Sequence, residues 1–261
     1  MIASLELGEL GVAFLIGGAL VTAAALVAGY RLAARFERSR ARQRQFVSDA
    51  SHELRTPLTA IRGQVEVLAG EERPAVAEVH RVGEVVLSEL ARIERLVEDL
   101  LDFSRLEEHA SLRLAPIEVE PFLRRLVEEA PAGGIALGEL PNGTVLADPE
   151  RLTQVVRNLL DNAKRHAGAE GRVELSATRH GDRLTVRVDD DGPGIAPGER
   201  ERVFDRFHRS EAARGRDSGG SGLGLAICRA IVDLHGGRIW VEDSPLGGAR
   251  LCVDLPGFEG G

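Results

Sequence analysis

A chain of 261 residues is long enough for one large domain or two small ones, and 43% hydrophobic with 28% charged residues is the composition of an ordinary folded protein. A formal net charge of −8 excludes a nucleic-acid partner, because phosphate-binding surfaces need a basic excess. Cys228 and Cys252 stand at neither metal-ligand nor redox spacing and read as two core thiols of a reducing compartment.

Residues 12–30 run nineteen positions without a charge, against the ~20 that a helix needs to cross hydrocarbon. Only Glu6 and Glu9 precede them, whereas Arg31, Arg35, Arg38, Arg40, Arg42 and Arg44 follow, which places the C-terminal part in the cytoplasm. A cleaved secretory signal would need a basic start, and this one is acidic. A buried core helix would not carry alanine and glycine on every face beside a basic fringe. The expectation is a short extracytoplasmic N-terminus (1–11), a single transmembrane helix (12–30) and a basic juxtamembrane linker (31–45).

From Phe46 the apolar positions Ala50, Leu54, Leu58, Ile61, Val65 and Leu68 recur at spacings of four and three, one stripe of a helix. The run Gly70-Glu71-Glu72-Arg73-Pro74 supplies a turn, and Val79, Val82, Val86, Leu90, Ile93, Val97 and Leu100 mark a second stripe. Two helices with a narrow seam bury it by pairing with a second hairpin, so residues 46–112 are predicted to form half of a homodimeric four-helix bundle.

Over residues 113–257 the pattern becomes mixed α/β. Strands are predicted at 117–119, 144–146, 173–178, 184–188, 238–242 and 249–254, with helices from Pro121, over 149–166 and over 222–235. Arg179-His180-Gly181-Asp182 joins the two central strands, and the charged, glycine-rich stretch 208–221 reads as a mobile loop.

His52 lies about 200° around the first helix from Leu54 and points away from the seam. A lone exposed histidine is usually a plain surface residue. Its neighbours argue otherwise: Glu53 can accept the second ring proton and raise the nucleophilicity of the other nitrogen. Pro57 lacks the N–H that would bond the carbonyl of Glu53, so a bend is expected beside the histidine.

Along 149–166, Asn158, Asn162 and Arg165 share one face, opposite Leu152, Val155, Leu159 and Leu160. Neutral amide oxygens suit Mg²⁺ that keeps waters and phosphate oxygens as its other ligands, although two asparagines are more often surface residues. Asp190-Asp191-Gly192-Pro193-Gly194-Ile195 ends a strand; by itself it reads as a calcium loop, a plain turn or a place where backbone approaches a flat ligand. Gly220-Ser221-Gly222-Leu223-Gly224-Leu225 opens a helix whose first N–H groups can receive phosphate oxygens, or it marks a dinucleotide fold, although no βαβ unit with a ribose-binding acid follows.

The string Phe46-Val47-Ser48-Asp49-Ala50-Ser51-His52-Glu53-Leu54-Arg55-Thr56-Pro57-Leu58 resembles the phospho-acceptor segment of two-component sensor histidine kinases. The asparagine, aspartate-glycine, phenylalanine and glycine segments follow in the order of that family's Bergerat-type ATP-binding domain, and the resemblance covers residues 46–255. It implies autophosphorylation of His52 from ATP, with Glu53 as acid/base partner, transfer to an aspartate on the receiver domain of a response regulator, and Thr56 positioning water for dephosphorylating that regulator. It implies Mg²⁺ on Asn162, with Asn158 beside it, and Arg165 and His166 near the phosphates. Asp190 would bond the adenine amino group, flanked by Gly192, Gly194, Ile195 and Phe204, while Arg209 faces the γ-phosphate and Gly220, Gly222, Leu223, Gly224 and Leu225 line the phosphate side. The location implied is a bacterial inner membrane. One departure stands out: the family commonly has lysine then tyrosine where this chain has Arg165 and His166, its lysine falling one place early at Lys164. That departure motivates one rival, a dimeric scaffold without catalysis, and Thr56 standing one turn after His52 motivates a second, an enzyme whose main output is dephosphorylation.

Overall fold

A computed structural model describes residues 29–31, 37, 47–70, 75–108, 111–130, 134–168, 170–208 and 221–260. The chain divides into two compact units, residues 1–52 and 53–261. The predicted transmembrane helix and basic linker, Phe46, Arg209 and Gly220 fall wholly or almost wholly outside the described residues. Among the described residues no helix is long and apolar enough to cross a membrane.

In the first unit residues 47–52 are helical, and Ser51 Oγ donates back to Val47 O at 2.7 Å, satisfying the hydroxyl within the helix. Ala50 is buried and His52 is exposed, the disposition that the stripe predicts. In the second unit residues 53–70 are helical (α1, residues 53–70), and Pro57 does not interrupt that helix.

The second helix, α2 (Val76–Glu108), is longer than its predicted stripe. The stripe is also divided differently from expectation. Val82 is buried and Leu96, outside the predicted set, is fully buried, whereas Val79, Leu90 and Val97 are each more than two-fifths exposed, as are Leu58 and Val65 on α1. The hairpin thus buries one edge of its seam and leaves the other edge bare.

The α/β part runs β1 (Ala115–Glu118), α3 (Val119–Glu128), β2 (Ile135–Leu137), β3 (Gly143–Ala147), α4 (Pro149–Ala167), β4 (Val173–His180), β5 (Arg183–Asp190), a 3-10 turn (Arg202–Phe204), α5 (Gly224–Leu234), β6 (Arg238–Asp243), β7 (Ala249–Pro256) and β8 (Phe258–Gly260). Five strands form one sheet in the order β2-β4-β5-β7-β6, parallel between β2 and β4 and antiparallel elsewhere; β1, β3 and β8 form a second. Leu175, Leu184, Val186, Val188, Leu251 and Val253 bury the inner face of the large sheet, where α4 packs against β4 and β5 and α5 against β6 and β7.

Three expectations need correction. The strand expected at 117–119 ends at Glu118 and α3 begins at Val119, because Pro121 is tolerated in a helix's first turn, where its missing N–H costs nothing. The four-residue turn after β4 shrinks to Gly181-Asp182, since Arg179 pairs with Leu184 and His180 with Arg183; Gly181 takes φ +64°, the left-handed value a two-residue hairpin demands. Strands β2 and β8, each three residues long, were not expected at all.

Candidate functional site

The α4 helix is fixed at its start by Asp148, whose Oδ1 accepts from the backbone N–H of Glu150 at 3.1 Å and of Arg151 at 3.2 Å. Pro149 occupies its first turn, where no N–H is needed, and Lys164, Arg165 and His166 its last, where the backbone dipole favours positive charge. Leu152, Val155, Val156, Leu159, Leu160 and Ala163 are buried, which turns Asn158 and Asn162 to the half-exposed side and leaves Arg165 exposed.

Asn158 Nδ2 donates to Gly224 O at 3.3 Å and so ties α4 to the first residue of α5. The amide of Asn162, half-buried one turn later, has no hydrogen-bond partner among the described residues. Beside α5, Gly222 takes φ +71° and Phe207 φ +58°. Phe207 N–H donates to Gly222 O at 2.9 Å, and a Cβ on Gly222 would stand 2.9 Å from Phe207 Cα, so only glycine fits there. Ser221 Oγ accepts from Leu223 N at 3.1 Å and donates to Asp99 of α2. Arg206 stacks 4.1 Å from the Phe103 ring centroid, and Gln154 Nε2 donates to Asp102 Oδ2 at 2.7 Å, so the C-terminal half of α2 rests on the elements that carry the glycine segment.

Asp190 ends β5 with 2% exposure. Its Oδ1 accepts from Gly192 N at 2.9 Å and Ala249 N at 3.0 Å, while its own carbonyl accepts from Gly248 N at 3.1 Å. Burial pushes its carboxyl above the usual range, and the two backbone N–H bonds oppose that rise without cancelling it. Two glycines make room for it. A Cβ on Gly248 would collide with Asp190 Oδ1, and one on Gly192 would stand 2.9 Å from His166 O at the end of α4. The neighbouring Asp191 is drawn the other way, its carboxyl lowered first by the Arg172 backbone N–H.

The turn after Asp190 is braced from outside. Arg200 Nε donates to Ile195 O at 3.2 Å and its Nη2 to Asp243 Oδ1 at 2.5 Å, while Gly194 takes φ +71°. Phe204 is buried at 5% exposure in the 3-10 turn that follows. Sequence reasoning missed Gly248, Arg200 and Ser221 as parts of this arrangement. The Gly247-Gly248 doublet before β7 was the available signal for the first.

The structure therefore brings together Asn158, Asn162, His166, Asp190, Gly192, Gly222, Leu223 and Gly224 around one end of the large sheet. It offers a buried carboxylate at one side, neutral amides on a helix face, and a glycine-opened helix N-terminus. His52 stands in the other unit. Glu53 turns to α2 instead, where Arg92 Nη2 lies 3.6 Å from its Oε2. Thr56 is exposed one turn further along α1.

Two family models match: His Kinase A (phospho-acceptor) domain over residues 42–109, and Histidine kinase-, DNA gyrase B-, and HSP90-like ATPase over residues 147–258. The chain belongs to the sensor histidine kinases. It is 36% identical over 233 residues to the signal transduction histidine-protein kinase BaeS of Escherichia coli K12, covering 87% of this chain and 49% of that protein. Among solved structures it resembles full-length ShkA in complex with AMPPNP at 32% identity and TM-score 0.57, over 83% of this chain and 46% of that one. It also resembles the histidine kinase ThkA in complex with the response regulator TrrA, at 25% identity and TM-score 0.65, over 82% of this chain and 61% of that one. The chain spans about half the length of the curated relatives it matches.

Proposed function

We propose that the chain is an ATP-dependent protein histidine kinase that phosphorylates its own His52 and passes the phosphoryl group to an aspartate on a response regulator's receiver domain. One ring nitrogen of His52 bonds to the γ-phosphorus as the bond to the β,γ-bridging oxygen breaks and ADP leaves; Glu53 takes the proton from the ring. Little covalent chemistry is asked of the protein beyond positioning and charge stabilisation.

The observation that carries this reading is Asp190: a buried carboxylate with both backbone donors on Oδ1, leaving Oδ2 for an exocyclic amine such as that of adenine. Gly192, Gly194 and Ile195 form the wall beside it, and Phe204 anchors the segment that leads to Arg209. The backbone N–H groups of Gly222, Gly224 and Leu225 at the start of α5, after Gly220, suit phosphate oxygens, while the Leu223 N–H is taken by Ser221 Oγ; Arg165 and His166, in the last turn of α4, would add to the phosphate side. Asn162 fits Mg²⁺ because its amide oxygen is half-buried and unengaged, and Asn158 lies one turn before it; the ion would neutralise phosphate charge.

The bare edge of the helical hairpin, with Leu58, Val65, Val79, Leu90 and Val97, supports a homodimer through residues 46–112, and residues 113–257 are then the catalytic domain. The complex of ThkA with TrrA supports a receiver-domain partner. Thr56, exposed one turn after His52, would orient water for regulator dephosphorylation as well. The charge-free stretch 12–30 with its arginine fringe supports single-pass anchoring in a bacterial inner membrane, catalytic part cytoplasmic.

The test is incubation of the chain with γ-labelled ATP and Mg²⁺, alongside His52→Ala and Asn162→Ala. Acid-labile label in the native chain, absent from both variants, is the expected result. No label on a folded native chain that also fails to bind ATP would replace this reading with the scaffold.

A further inference from the structure

Arg92, on α2, faces two carboxylates at once. Its Nη2 lies 3.6 Å from Glu53 Oε2 and its Nη1 lies 3.6 Å from Glu89 Oε2, distances of ion pairing but not of hydrogen bonding. All three side chains are half-buried, with relative exposures of 14% for Arg92, 26% for Glu53 and 21% for Glu89. Arg92 Nε and Glu89 Oε2 are buried with no hydrogen-bond partner among the described residues. A guanidinium has five donors in a fixed fork and ordinarily saturates them when buried. Here one cation is shared between two acids and neither contact is closed. Buried polar atoms left unsaturated are costly as pure structure, and such unmet groups call for an explanation.

Glu53 is the member with a chemical neighbour, since it directly follows His52 in the chain. We infer that Arg92 is a positioning residue for the phosphorylation of His52: it holds the carboxylate of Glu53 in place by charge from the facing helix, with Glu89 competing for the same guanidinium. The loose 3.6 Å spacing serves this role, because a carboxylate locked in a bidentate pair could not turn toward a ring proton. Arg92 touches neither ATP nor His52 in this account and acts only through Glu53. The inference rests on the reading of Glu53 as the acid/base partner of His52.

The test is a double-mutant cycle on the full chain, reading the rate of His52 phosphorylation at saturating ATP and the KM for ATP. Arg92→Gln is expected to lower the rate about tenfold and leave KM unchanged. In a Glu53→Gln background the same change is expected to alter the rate less than twofold. Arg92→Lys keeps the stem and the charge and loses only the fork; it should give an intermediate rate, and it carries the cycle by itself if Arg92→Gln fails to fold. An equal loss in both backgrounds, or a native rate in Arg92→Gln, overturns the positioning role. A native rate in Glu53→Gln alone overturns the reading of Glu53 instead, so the two failures are distinguishable.

Discussion

The backbone N–H of Asp148 donates to Nε2 of His235 at 3.0 Å, joining residues 87 apart in the chain. The other ring nitrogen, Nδ1, lies 2.8 Å from Ile231 O. Because Nε2 must accept, the ring proton sits on Nδ1 and is donated to that carbonyl. One imidazole thus satisfies the end of α5 and the start of α4, the two helices that flank the proposed nucleotide site.

Replacing His235 by alanine strips the Asp148 N–H of its acceptor in a part-buried place. The cost of a lost partner there is ~1–3 kcal/mol. Thermal unfolding should show a melting temperature several degrees lower than native at neutral pH. An unchanged midpoint would mean that water replaces the ring.

Asp148 itself gives a pH dependence. Burial works against its charge, but the N–H groups of Arg113, Arg151 and Glu150 outweigh it, so the carboxyl is lowered below its ordinary value. A carboxylate lowered on folding contributes stability above its unfolded value and loses it as pH falls through the folded one. Asp148→Ala removes the helix cap at a cost of ~1 kcal/mol near neutrality. The deficit against the native chain, measured by urea unfolding, should be full at pH 7 and shrink as pH falls below the ordinary carboxylate range.

Asp190 should behave in the opposite sense. Its carboxyl is raised by burial, so ionisation costs stability as pH climbs from the unfolded value through the folded one. Asp190→Asn keeps an oxygen for the N–H groups of Gly192 and Ala249 and removes the buried charge. The variant should melt at or above the native temperature at pH 7, lose that advantage in acid, and fail to bind ATP because an amide can offer its N–H₂ where a carboxylate accepts. A variant that binds ATP normally would remove Asp190 from the site.

How much of this was legible beforehand follows from the range of each interaction. The α4 helix was readable because its cap, its proline and its apolar stripe are local signals. The hairpin of β4 and β5 was readable from alternation, but its turn was not, since Arg179 and His180 pair as strand residues although their side chains are exposed. Ile135–Leu137 and Phe258–Gly260 are too short for any period, and pairing with β4 and β3 makes them strands. Among the site residues, the face shared by Asn158 and Asn162 is a matter of helical spacing. The burial of Asp190 against Gly248 depends on a strand nearly sixty residues later, whose only mark is the Gly247-Gly248 doublet, and the seat of Glu53 on Arg92 depends on a facing helix and leaves no mark on the local sequence.

Ser221 carries the last prediction. Its hydroxyl accepts from Leu223 N–H at 3.1 Å and donates to Asp99, so it couples the start of α5 to α2. Burial raises the Asp99 carboxyl and the Ser221 hydrogen bond pulls it back. Ser221→Ala removes that relief, leaving Asp99 to ionise at greater cost. The variant should lose ~1–3 kcal/mol, the penalty for stranding a buried polar group. Since the penalty falls on the charged form, the gap to the native chain should widen from pH 4 to pH 8, and adding Asp99→Asn should recover part of it, giving a coupling energy in the double-mutant cycle. A gap of equal size at both pH values, undiminished by Asp99→Asn, would confine the hydroxyl's role to the Leu223 N–H and take Ser221 out of the contacts that hold α2, among them those of Phe103 and Gln154.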